Sequence, residues 1–530
     1  MKNIKLICLV TIGLCGTVSC VNDLNRQPFY DITSTTVYSN FANYKEVLAK
    51  LYAGYAVSGQ QGPSGNPDIA GIDEGFSQYV REYYNAQELP TDEAVIAWND
   101  GTLPEYHLMT WSSSNEFVRA MYDRIYYQVS LCNEFLRETT DAKLAGYGIT
   151  GDNLTLAKNY RAEARFLRAL SYWHALDLYG NVPFVTENDA VGSTPPKQIL
   201  RKDLFTYIES ELKALETGDL VDARKNEYGR ADKACAWMLL SKLYLNAEVY
   251  TGTARYTDAV TYCSKIIGAG FTLDPKYANL FLADNNKSPE IIFPIESNGL
   301  KTQTWGSMTY LIHAPVGGSM NPAAFGINGG WGGLRVTKQF VNLFSDTTGK
   351  TDQRAMFYTN GQNLEINNIF TFTDGYPITK YKNITSTGAV GSDPTGNFPD
   401  TDFPMFRLAD VYLMYAEAVL RGGTGGSTTT ALQYVNQIRQ RAYGGGTSGN
   451  IGTSDLTLDF ILAERARELS WECHRRTDLI RFGKFTGSSY LWAWKGNVQA
   501  GQAVADFRNL MPIPSSDLTA NPNLVQNPGY

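Results

Sequence analysis

Residues 229–267, GRADKACAWMLLSKLYLNAEVYTGTARYTDAVTYCSKII, decide the fold because they predict two helices joined by a short reversal of the chain. The first helix is apolar around most of its circumference, with a narrow polar stripe that includes Asp232 and Lys242. Such a helix must be covered by neighbours on more than one side. Residues 251–255 are too short to do more than reverse direction. The second helix begins at Tyr256 and repeats apolar residues at helical spacing on one face.

A helix pair of this length, with small residues and tyrosine where the helices cross, is the unit of a tetratricopeptide-type repeat. Apolar periods predict further helices of this kind at residues 43–57, 116–137, 160–215, 229–267, 406–442 and 456–485. The predicted fold is mainly α, a tetratricopeptide-like helical-repeat scaffold that forms a single domain over residues 37–530. Because such repeats are scaffolds, the function is sought on what they carry.

One large insertion, residues 271–402, interrupts the predicted helices and is expected to bind the ligand. It is rich in Gly, Asn, Pro and aromatic residues, and short β-like runs at residues 290–294 and 378–381 predict β-hairpins within an irregular segment. Residues 334–344 predict one helix. Glycine is dense and no apolar period persists over residues 295–333, which are therefore predicted as exposed loops.

The N-terminus predicts export of the chain. Lys2 and Lys5 precede an apolar run, and small residues then lead to Cys20, an order that resembles a bacterial lipobox. Residues 1–19 are predicted as a signal peptide, Cys20 as the lipidated residue, and residues 20–36 as a tether. No later segment predicts a spanning helix, so membrane contact is expected through the N-terminal lipid only. The alternative is an ordinary secretory signal with an unmodified Cys20.

Composition favours a wet binding surface. Aromatic residues make up 12% of the chain, with 33 tyrosines and 9 tryptophans, and these rings combine an apolar body with a polar group. The net charge of −7 argues against nucleic acid as a partner. Four cysteines follow Cys20 without a metal-binding spacing, so they are predicted as small buried hydrophobic residues. No cofactor and no metal ion are predicted.

Several short strings in the second half of the chain carry a resemblance to a known family. They are FRLADVYL at residues 406–413, ERAREL at 464–469, RRTDLIRFG at 475–483 and NLVQNPGY at 523–530. With the lipobox, their order and spacing resemble the SusD/RagB family, surface glycan-binding lipoproteins of Bacteroidetes, over nearly the whole chain. The likeness is closest to the starch-binding branch of that family.

The resemblance implies a non-catalytic lipoprotein on the surface of the outer membrane. Family members capture oligosaccharide or polysaccharide and deliver it to a TonB-dependent porin of the SusC kind, and the starch-binding branch implies an α-glucan ligand. Three alternatives remain open. They are a peptide-binding protein like the RagB side of the family, a glycosidase on a helical scaffold, and an assembly scaffold without a soluble ligand.

Aromatic residues in the non-helical segments are the candidates for glycan binding, because flat rings match the apolar faces of pyranoses. The selected residues are Trp98 in IAWND, Tyr310 in MTYLI and Trp331 in NGGWGGL. In the starch-binding branch that this chain resembles, aromatic residues at the matching places form an arc that follows an α-glucan helix. The competing interpretation of each ring is ordinary packing in the core.

The resemblance also adds polar candidates, at positions that match suppliers of hydrogen bonds to hydroxyl groups: Arg81, Asn99 and Asp100. At two positions this sequence differs from the starch-binding branch, and we therefore expect a narrower arc of ligand-binding residues. Where the branch has a second tryptophan, this chain has Ile96. Where the branch has a further asparagine, this chain has Gly101. The competing interpretation of Arg81 is a surface ion pair with Glu82 or Asp92.

Charged clusters elsewhere are predicted to be structural. Asp92 and Glu93 are adjacent, and adjacent side chains of an extended chain point apart, whereas a glycosidase needs two carboxyl groups that face one bond. Charged residues between Glu468 and Arg481 predict an internal ion-pair network at a helix end. The three residues that begin at Asp284 lack the spacing of a calcium loop, so a turn is predicted there.

Overall fold

The computed structural model describes residues 33–192 and 194–530, and the predicted lipidation site Cys20 lies outside them, as do the predicted signal peptide and most of the tether. Eighteen α-helices lie in the described ranges. In chain order they are α1 (Ser34–Tyr38), α2 (Ala42–Ala56), α3 (Tyr79–Glu88), α4 (Pro104–Leu108), α5 (Glu116–Glu138), α6 (Asp141–Gly146), α7 (Gly151–Leu178), α8 (Arg201–Thr217), α9 (Lys233–Leu245), α10 (Ala247–Thr251), α11 (Tyr256–Gly268), α12 (Ser307–His313), α13 (Lys338–Val341), α14 (Leu408–Leu420), α15 (Thr428–Ala442), α16 (Leu458–Leu469), α17 (Arg475–Arg481) and α18 (Ser515–Ala520).

The helix pair at residues 229–267 is present as α9 and α11. Asp232 starts α9 by accepting hydrogen bonds from the backbone N–H groups of Ala234 and Cys235. Every residue of α9 except Lys233 and Trp237 is buried, which confirms the expectation that neighbours cover this helix on several sides. The reversal is longer than predicted because the short helix α10 is inserted before it.

The helices pack in series and form the predicted scaffold. Helix α5 lies on α7, α7 on α8, α8 on α9, α9 on α11, α11 on α14, and α14 on α15. Helix α11 packs directly on α14, although the insertion separates them in the sequence. The scaffold is therefore continuous, and the insertion projects from it. This arrangement confirms the predicted mainly α, helical-repeat fold class.

The strands are short and pair only in twos within the described residues. They are β1 (Val95–Ile96), β2 (Val182–Pro183), β3 (Gln198–Ile199), β4 (Ile291–Ile295), β5 (Leu334–Arg335) and β6 (Phe403–Arg407). All three pairs are antiparallel: β1 with β5, β2 with β3, and β4 with β6. The pair of β4 and β6 brings the two ends of the insertion together, so the residues between them leave and re-enter the scaffold at one place.

Two predictions within the insertion are wrong. The segment predicted as one helix, residues 334–344, is divided into strand β5 and the four-residue helix α13, because Leu334 pairs with Ile96 from a distant part of the chain. Residues 295–333 are not only exposed loops, since they contain α12, and every residue of that helix is buried. Helix α12 packs on α3, which is also buried at all its residues.

The charged residues between Glu468 and Arg481 are buried in ion pairs, but only Asp478 and Arg481 pair with each other as predicted, and the other partners lie outside this stretch. Glu468 pairs with Arg407 at 2.7 Å and with Arg354 at 3.2 Å, and Arg441 is a third partner. Asp92 forms a bidentate pair with Arg475, with N–O distances of 2.7 and 2.8 Å, which confirms its structural role. The predicted turn after Asp284 is a single 3-10 turn at Asn285–Lys287. The four described cysteines are unpaired and buried, as predicted.

Candidate functional site

The ribbon of β1 and β5 brings two of the predicted rings together. Ile96 pairs with Leu334, and one residue further on the Ala97 N–H donates to the Gly333 carbonyl at 2.9 Å. In an antiparallel pair, the residue after β1 and the residues before β5 meet at the same end. The indole Nε1 of Trp98 therefore donates to the Trp331 carbonyl at 3.2 Å, although the two residues are 233 positions apart.

The backbone around Trp331 is fixed to the end of α12. The N–H groups of Trp331, Gly332 and Gly333 donate to carbonyl groups of residues 313–316, at distances of 2.7 to 2.9 Å. The Trp331 indole stacks on the ring of His313, with centroids 4.9 Å apart and an interplanar angle of 25°. Both ring nitrogens of His313 face carbonyl oxygens, at 2.6 and 2.9 Å. The glycine-rich segment is therefore held in place and presents Trp331 from a rigid support.

Three half-buried indoles form what we call the tryptophan surface: Trp98, Trp305 and Trp331. The ring centroids of Trp98 and Trp331 are 6.1 Å apart, and those of Trp305 and Trp331 are 6.2 Å apart. Phe398 supports Trp305 from below, with its ring centroid 5.0 Å away. The adjacent rings are tilted against one another by 46° and 53°, so together they make a continuous curved apolar area.

Trp305 is a member of this surface that the sequence reasoning missed. It lies between Thr304 and Gly306, outside any apolar period, and this is the same signal that selected Trp331. The backbone N–H of Trp305 donates to Oε2 of Glu74 at 3.0 Å. This hydrogen bond joins the Trp305 segment to the loop before α3. A search for every tryptophan flanked by glycine in the insertion would have found it.

Tyr310 is a correction to the predicted set. Its ring is on α12, has 0% of its surface exposed and packs 6.0 Å from Trp98, on the inner side of the tryptophan surface. The phenol donates to the side-chain oxygen of Asn85 at 3.1 Å, and burial raises its pKa. A ring in this position supports Trp98 and has no face for a ligand, so the packing interpretation is the correct one.

Arg81 is also buried, with 4% of its surface exposed, and it makes no ion pair among the described residues. The predicted alternative of a surface pair is therefore wrong, and Asp92 pairs with Arg475 instead. The guanidinium lies 4.0 Å from the ring centre of Phe76 and 4.3 Å from that of Tyr310, and one nitrogen donates to the Trp305 carbonyl at 3.3 Å. Burial lowers its pKa.

The guanidinium of Arg81 keeps unused hydrogen-bonding capacity beneath the rings. Its Nε is buried without a hydrogen-bond partner among the described residues. A buried cation without a carboxylate is costly unless surrounding groups compensate, and here aromatic faces do so through cation–π contact. The arrangement places an immobile positive charge directly behind Trp98 and Trp305.

Asn99 and Asp100 follow Trp98 and have exposed side chains. Neither side chain forms a hydrogen bond to another described residue, so both are free to bind hydroxyl groups. Ile96 is buried in β1. Of the predicted residues, Trp98, Trp331, Asn99 and Asp100 meet at one surface, while Arg81 and Tyr310 lie beneath it.

The chemistry of the site is that of binding. Half-exposed indoles supply apolar area, and neighbouring amide and carboxylate groups supply hydrogen bonds. Among the described residues, no group of three or more His, Cys, Asp or Glu side chains is placed to hold a metal ion. Over the same residues, no helix combines the length and the apolar composition that a membrane crossing needs.

Comparison with known proteins assigns the chain to a family. A sequence model described as the SusD family matches residues 345–530. The starch-binding protein SusD of Bacteroides thetaiotaomicron is 36% identical, and the match covers 98% of this chain and 98% of that protein. The chain belongs to the SusD family.

Solved structures of the SusD superfamily share its fold. One from Bacteroides thetaiotaomicron gives a TM-score of 0.70 at 20% identity, over 92% of this chain and 100% of that one. Surface glycan-binding protein A of the same species, solved with laminarihexaose, gives 0.68 at 21% identity, over 92% and 99%. The names of these relatives describe binding, which agrees with the prediction that this SusD-family chain is not an enzyme.

Proposed function

We propose that this SusD-family chain binds polysaccharide across Trp98, Trp305 and Trp331, and that its ligand is an α-glucan such as starch. The observation that carries the proposal is the continuous, curved area of three half-exposed indoles on a rigid support. Each hydrogen bond to a sugar hydroxyl replaces one to water, so aromatic area supplies most of the affinity. Because the surface is shallow, we expect dissociation constants on the order of tens of micromolar to millimolar.

The choice of an α-glucan rests on the starch-binding relative and on the shape of the surface. A curved set of rings suits a polymer that is itself curved. The missing tryptophan at Ile96 is offset by Trp305, which restores a third indole beside Trp331. Asn99 and Asp100 extend from the same edge and supply polar groups for vicinal hydroxyls.

The cellular part of the proposal concerns anchoring and delivery. Cys20 carries the lipid, the protein faces outward from the outer membrane, and bound glycan passes to a TonB-dependent, SusC-like porin. Two expectations test this part in cells. Cys20→Ala should release the protein from the membrane fraction, and gentle extraction of the wild type should recover it together with the porin. Retention of Cys20→Ala in the membrane would contradict the lipid anchor.

Affinity electrophoresis tests the ligand directly, with native gels that contain starch, pullulan, levan, xyloglucan or mannan. We expect starch and pullulan to retard the wild-type protein, and Trp331→Ala to lose about ten-fold or more in affinity because it removes a half-exposed indole. The melting temperature should change little. Trp237→Ala, which removes a half-buried indole of α9 far from the site, is the matched control.

A second control separates Tyr310 from the sugar-binding rings. Tyr310→Phe removes the buried hydroxyl and leaves the supporting ring, so we expect retention equal to that of the wild type. Equal retention of Trp331→Ala and wild type would contradict the assigned surface. Retention by peptide and not by glycan would favour the peptide-binding alternative, and steady release of reducing sugar would favour a glycosidase.

A further inference from the structure

A second aromatic loop lies beside the tryptophan surface. Residues 366–374, INNIFTFTD, which we call the Phe370 loop, carry Phe370 and Phe372. The Phe370 side chain is 45% exposed, and Phe372 is half-buried. A single exposed apolar ring is ordinary on a protein surface, so a role for Phe370 has to be argued from its surroundings.

The Phe370 loop is anchored on the same ribbon that positions Trp98 and Trp331. Ile366 and Ile369 are buried against Val95 of β1 and form a small apolar cluster with it, separate from the main core. The indole Nε1 of Trp494 also donates to the Ile366 carbonyl at 2.8 Å. Because Val95 is three residues before Trp98, the loop and the tryptophan surface share one support.

Arg335 ties the loop to the segment that carries Trp331. This residue of β5 is fully buried and donates to the carbonyls of Ile369 at 2.7 Å, Thr371 at 3.1 Å and Asp374 at 2.8 Å. It also donates to the Gly333 carbonyl at 3.0 Å. One side chain thus spans both segments through four hydrogen bonds, which fixes the Phe370 loop relative to Trp331.

The Phe372 ring packs on the backbone beside Trp331. A methyl group placed on Gly332, the residue after Trp331, would lie 3.7 Å from Cγ of Phe372. A methyl group on Gly317 would lie 2.8 Å from Cε1 of the same ring, so Phe372 packs closely over both backbones. The Phe370 loop therefore packs against the glycine-rich segment that carries Trp331.

The groups around the Phe370 loop are polar but almost uncharged. In residues 358–376 the only charged side chains are Glu365, which pairs with Lys338, and Asp374, which is buried and accepts three hydrogen bonds. Asparagine, glutamine and threonine make up much of the rest. Rings surrounded by neutral amides and hydroxyls fit a neutral, hydroxyl-rich polymer better than a charged peptide or a lipid headgroup.

We propose that the Phe370 loop is a second contact area for the polysaccharide held by the tryptophan surface. It is reached only by chains long enough to extend past Trp331, so it gives the protein a preference for longer chains. This inference rests on the proposed function. It assigns Phe370 and Phe372 to ligand binding, and it assigns Arg335 to positioning both contact areas.

The test compares short and long α-glucans by calorimetry, with Phe370→Ala as the variant. We expect the affinity for maltoheptaose to fall about five-fold and the affinity for maltotriose to stay within error of the wild type. Because the Phe370 side chain is exposed, we expect its removal to leave folding intact. An unchanged melting temperature checks this. Leu156→Ala on α7, also an exposed apolar residue at 41% exposure, is the matched control.

Two outcomes would overturn the inference while leaving the proposed function intact. One is an unchanged affinity of Phe370→Ala for maltoheptaose. The other is an equal loss for maltotriose and maltoheptaose, which would place Phe370 in the primary contact area and remove the length preference. If the wild type binds neither sugar, the proposed function itself fails and the loop has no assigned ligand.

Discussion

Trp331 and Tyr310 show how burial decides which ring can meet a ligand. Both residues lie in the glycine-rich part of the insertion, and the sequence alone selects both. The structure places Trp331 at the surface, over His313, and Tyr310 in a helix whose residues are all buried. Its phenol donates to Asn85 on α3, 225 residues away, and no local pattern could reveal such a partner.

Gly333 makes room for Trp98. A methyl group on this glycine would lie 2.6 Å from Cε2 of the indole, which is closer than carbon atoms approach without displacement. We therefore predict that Gly333→Ala moves Trp98 and weakens starch binding about three-fold to ten-fold, at a stability cost of about 1–3 kcal/mol. Affinity electrophoresis and thermal unfolding measure the two effects.

Gly329→Ala is the matched control for this substitution. It lies in the same segment, and a methyl group there would meet no atom within 4 Å. Its starch affinity should equal that of the wild type. If Gly333→Ala also binds starch normally, the position of the Trp98 indole is not important for the ligand.

At the scale of elements, helix α16 organises the buried charges. Glu464 and Glu468, one turn apart, both face inward and pair with arginines from other segments. Burial favours the protonated form of Glu468, but the facing arginines outweigh it and lower its pKa to about 2. The network joins Glu290 and Arg354 of the insertion to β6, α15 and α16, which follow the insertion in the chain.

Removal of Arg407 from this network should be strongly destabilising. Its guanidinium pairs with Glu290 at 2.9 Å, Glu468 at 2.7 Å and Glu472 at 2.5 Å, and all four side chains are buried. We predict that Arg407→Met lowers the free energy of unfolding by about 3–5 kcal/mol, because it leaves buried carboxylates without a partner. Urea unfolding measures the loss.

The comparison for Arg407→Met is an exposed pair. Lys484 pairs with Asp459 at 2.6 Å, where the two side chains are 30% and 79% exposed. Lys484→Ala should cost about 0–1 kcal/mol, since solvent screens such pairs. Equal costs for the two substitutions would show that the buried network contributes no more than a surface contact.

The helical scaffold could be predicted from the sequence because its signal is local. Helix α5 repeats apolar residues at helical spacing, α9 is a run of mostly apolar residues, and each can be found without knowledge of its neighbours. The short elements could not be predicted in the same way. Strand β5 has two residues and α12 has seven, and both exist because of partners far away in the chain.

At the scale of the whole molecule, contacts between distant segments close the structure. The C-terminal Tyr530 hydroxyl accepts from Nε1 of Trp111 at 2.7 Å. Both ring nitrogens of His107 lie near carbonyl oxygens, those of Leu89 at 3.0 Å and Ala493 at 2.9 Å. Residues near the C-terminus therefore pack against residues 89–111 of the first part of the chain.

His107 should make the stability of the protein depend on pH. Burial lowers its pKa from 6.5 to about 4, although the two carbonyl groups favour the protonated ring. Between these values the unfolded chain takes up a proton at this position and the folded chain does not. Stability is therefore lost as the pH falls, by about 3 kcal/mol in total between pH 6.5 and 4.

The variant His107→Gln isolates this contribution from those of other groups. Urea unfolding at several pH values should show a smaller loss of stability on acidification for the variant than for the wild type. Altered packing in the variant changes the free energy of unfolding by the same amount at every pH, so it does not affect this comparison. Parallel pH dependences of the two proteins would contradict a depressed pKa for His107.

The site was predictable in composition but not in arrangement. Trp98 and Trp331 could be selected because both lie in irregular sequence and match aromatic positions of the family that the chain resembles. Their meeting depends on the pairing of β1 with β5, and the membership of Trp305 depends on its contact with Trp331. Both depend on contacts between parts of the chain that are distant in sequence. The tryptophan surface is therefore built from three separate segments of the chain, around Trp98, Trp305 and Trp331, and no single stretch of sequence reveals it.

The central claim is that glycan lies on the tryptophan surface, and a crystal structure with maltoheptaose tests it most directly. The account predicts pyranose rings packed against Trp98, Trp305 and Trp331, with hydroxyls near Asn99 or Asp100 and no contact to Tyr310. The account would be contradicted if maltoheptaose bound elsewhere and made no contact with these indoles. One such place is the cavity of about 830 Å³ lined by Phe184 and Pro195.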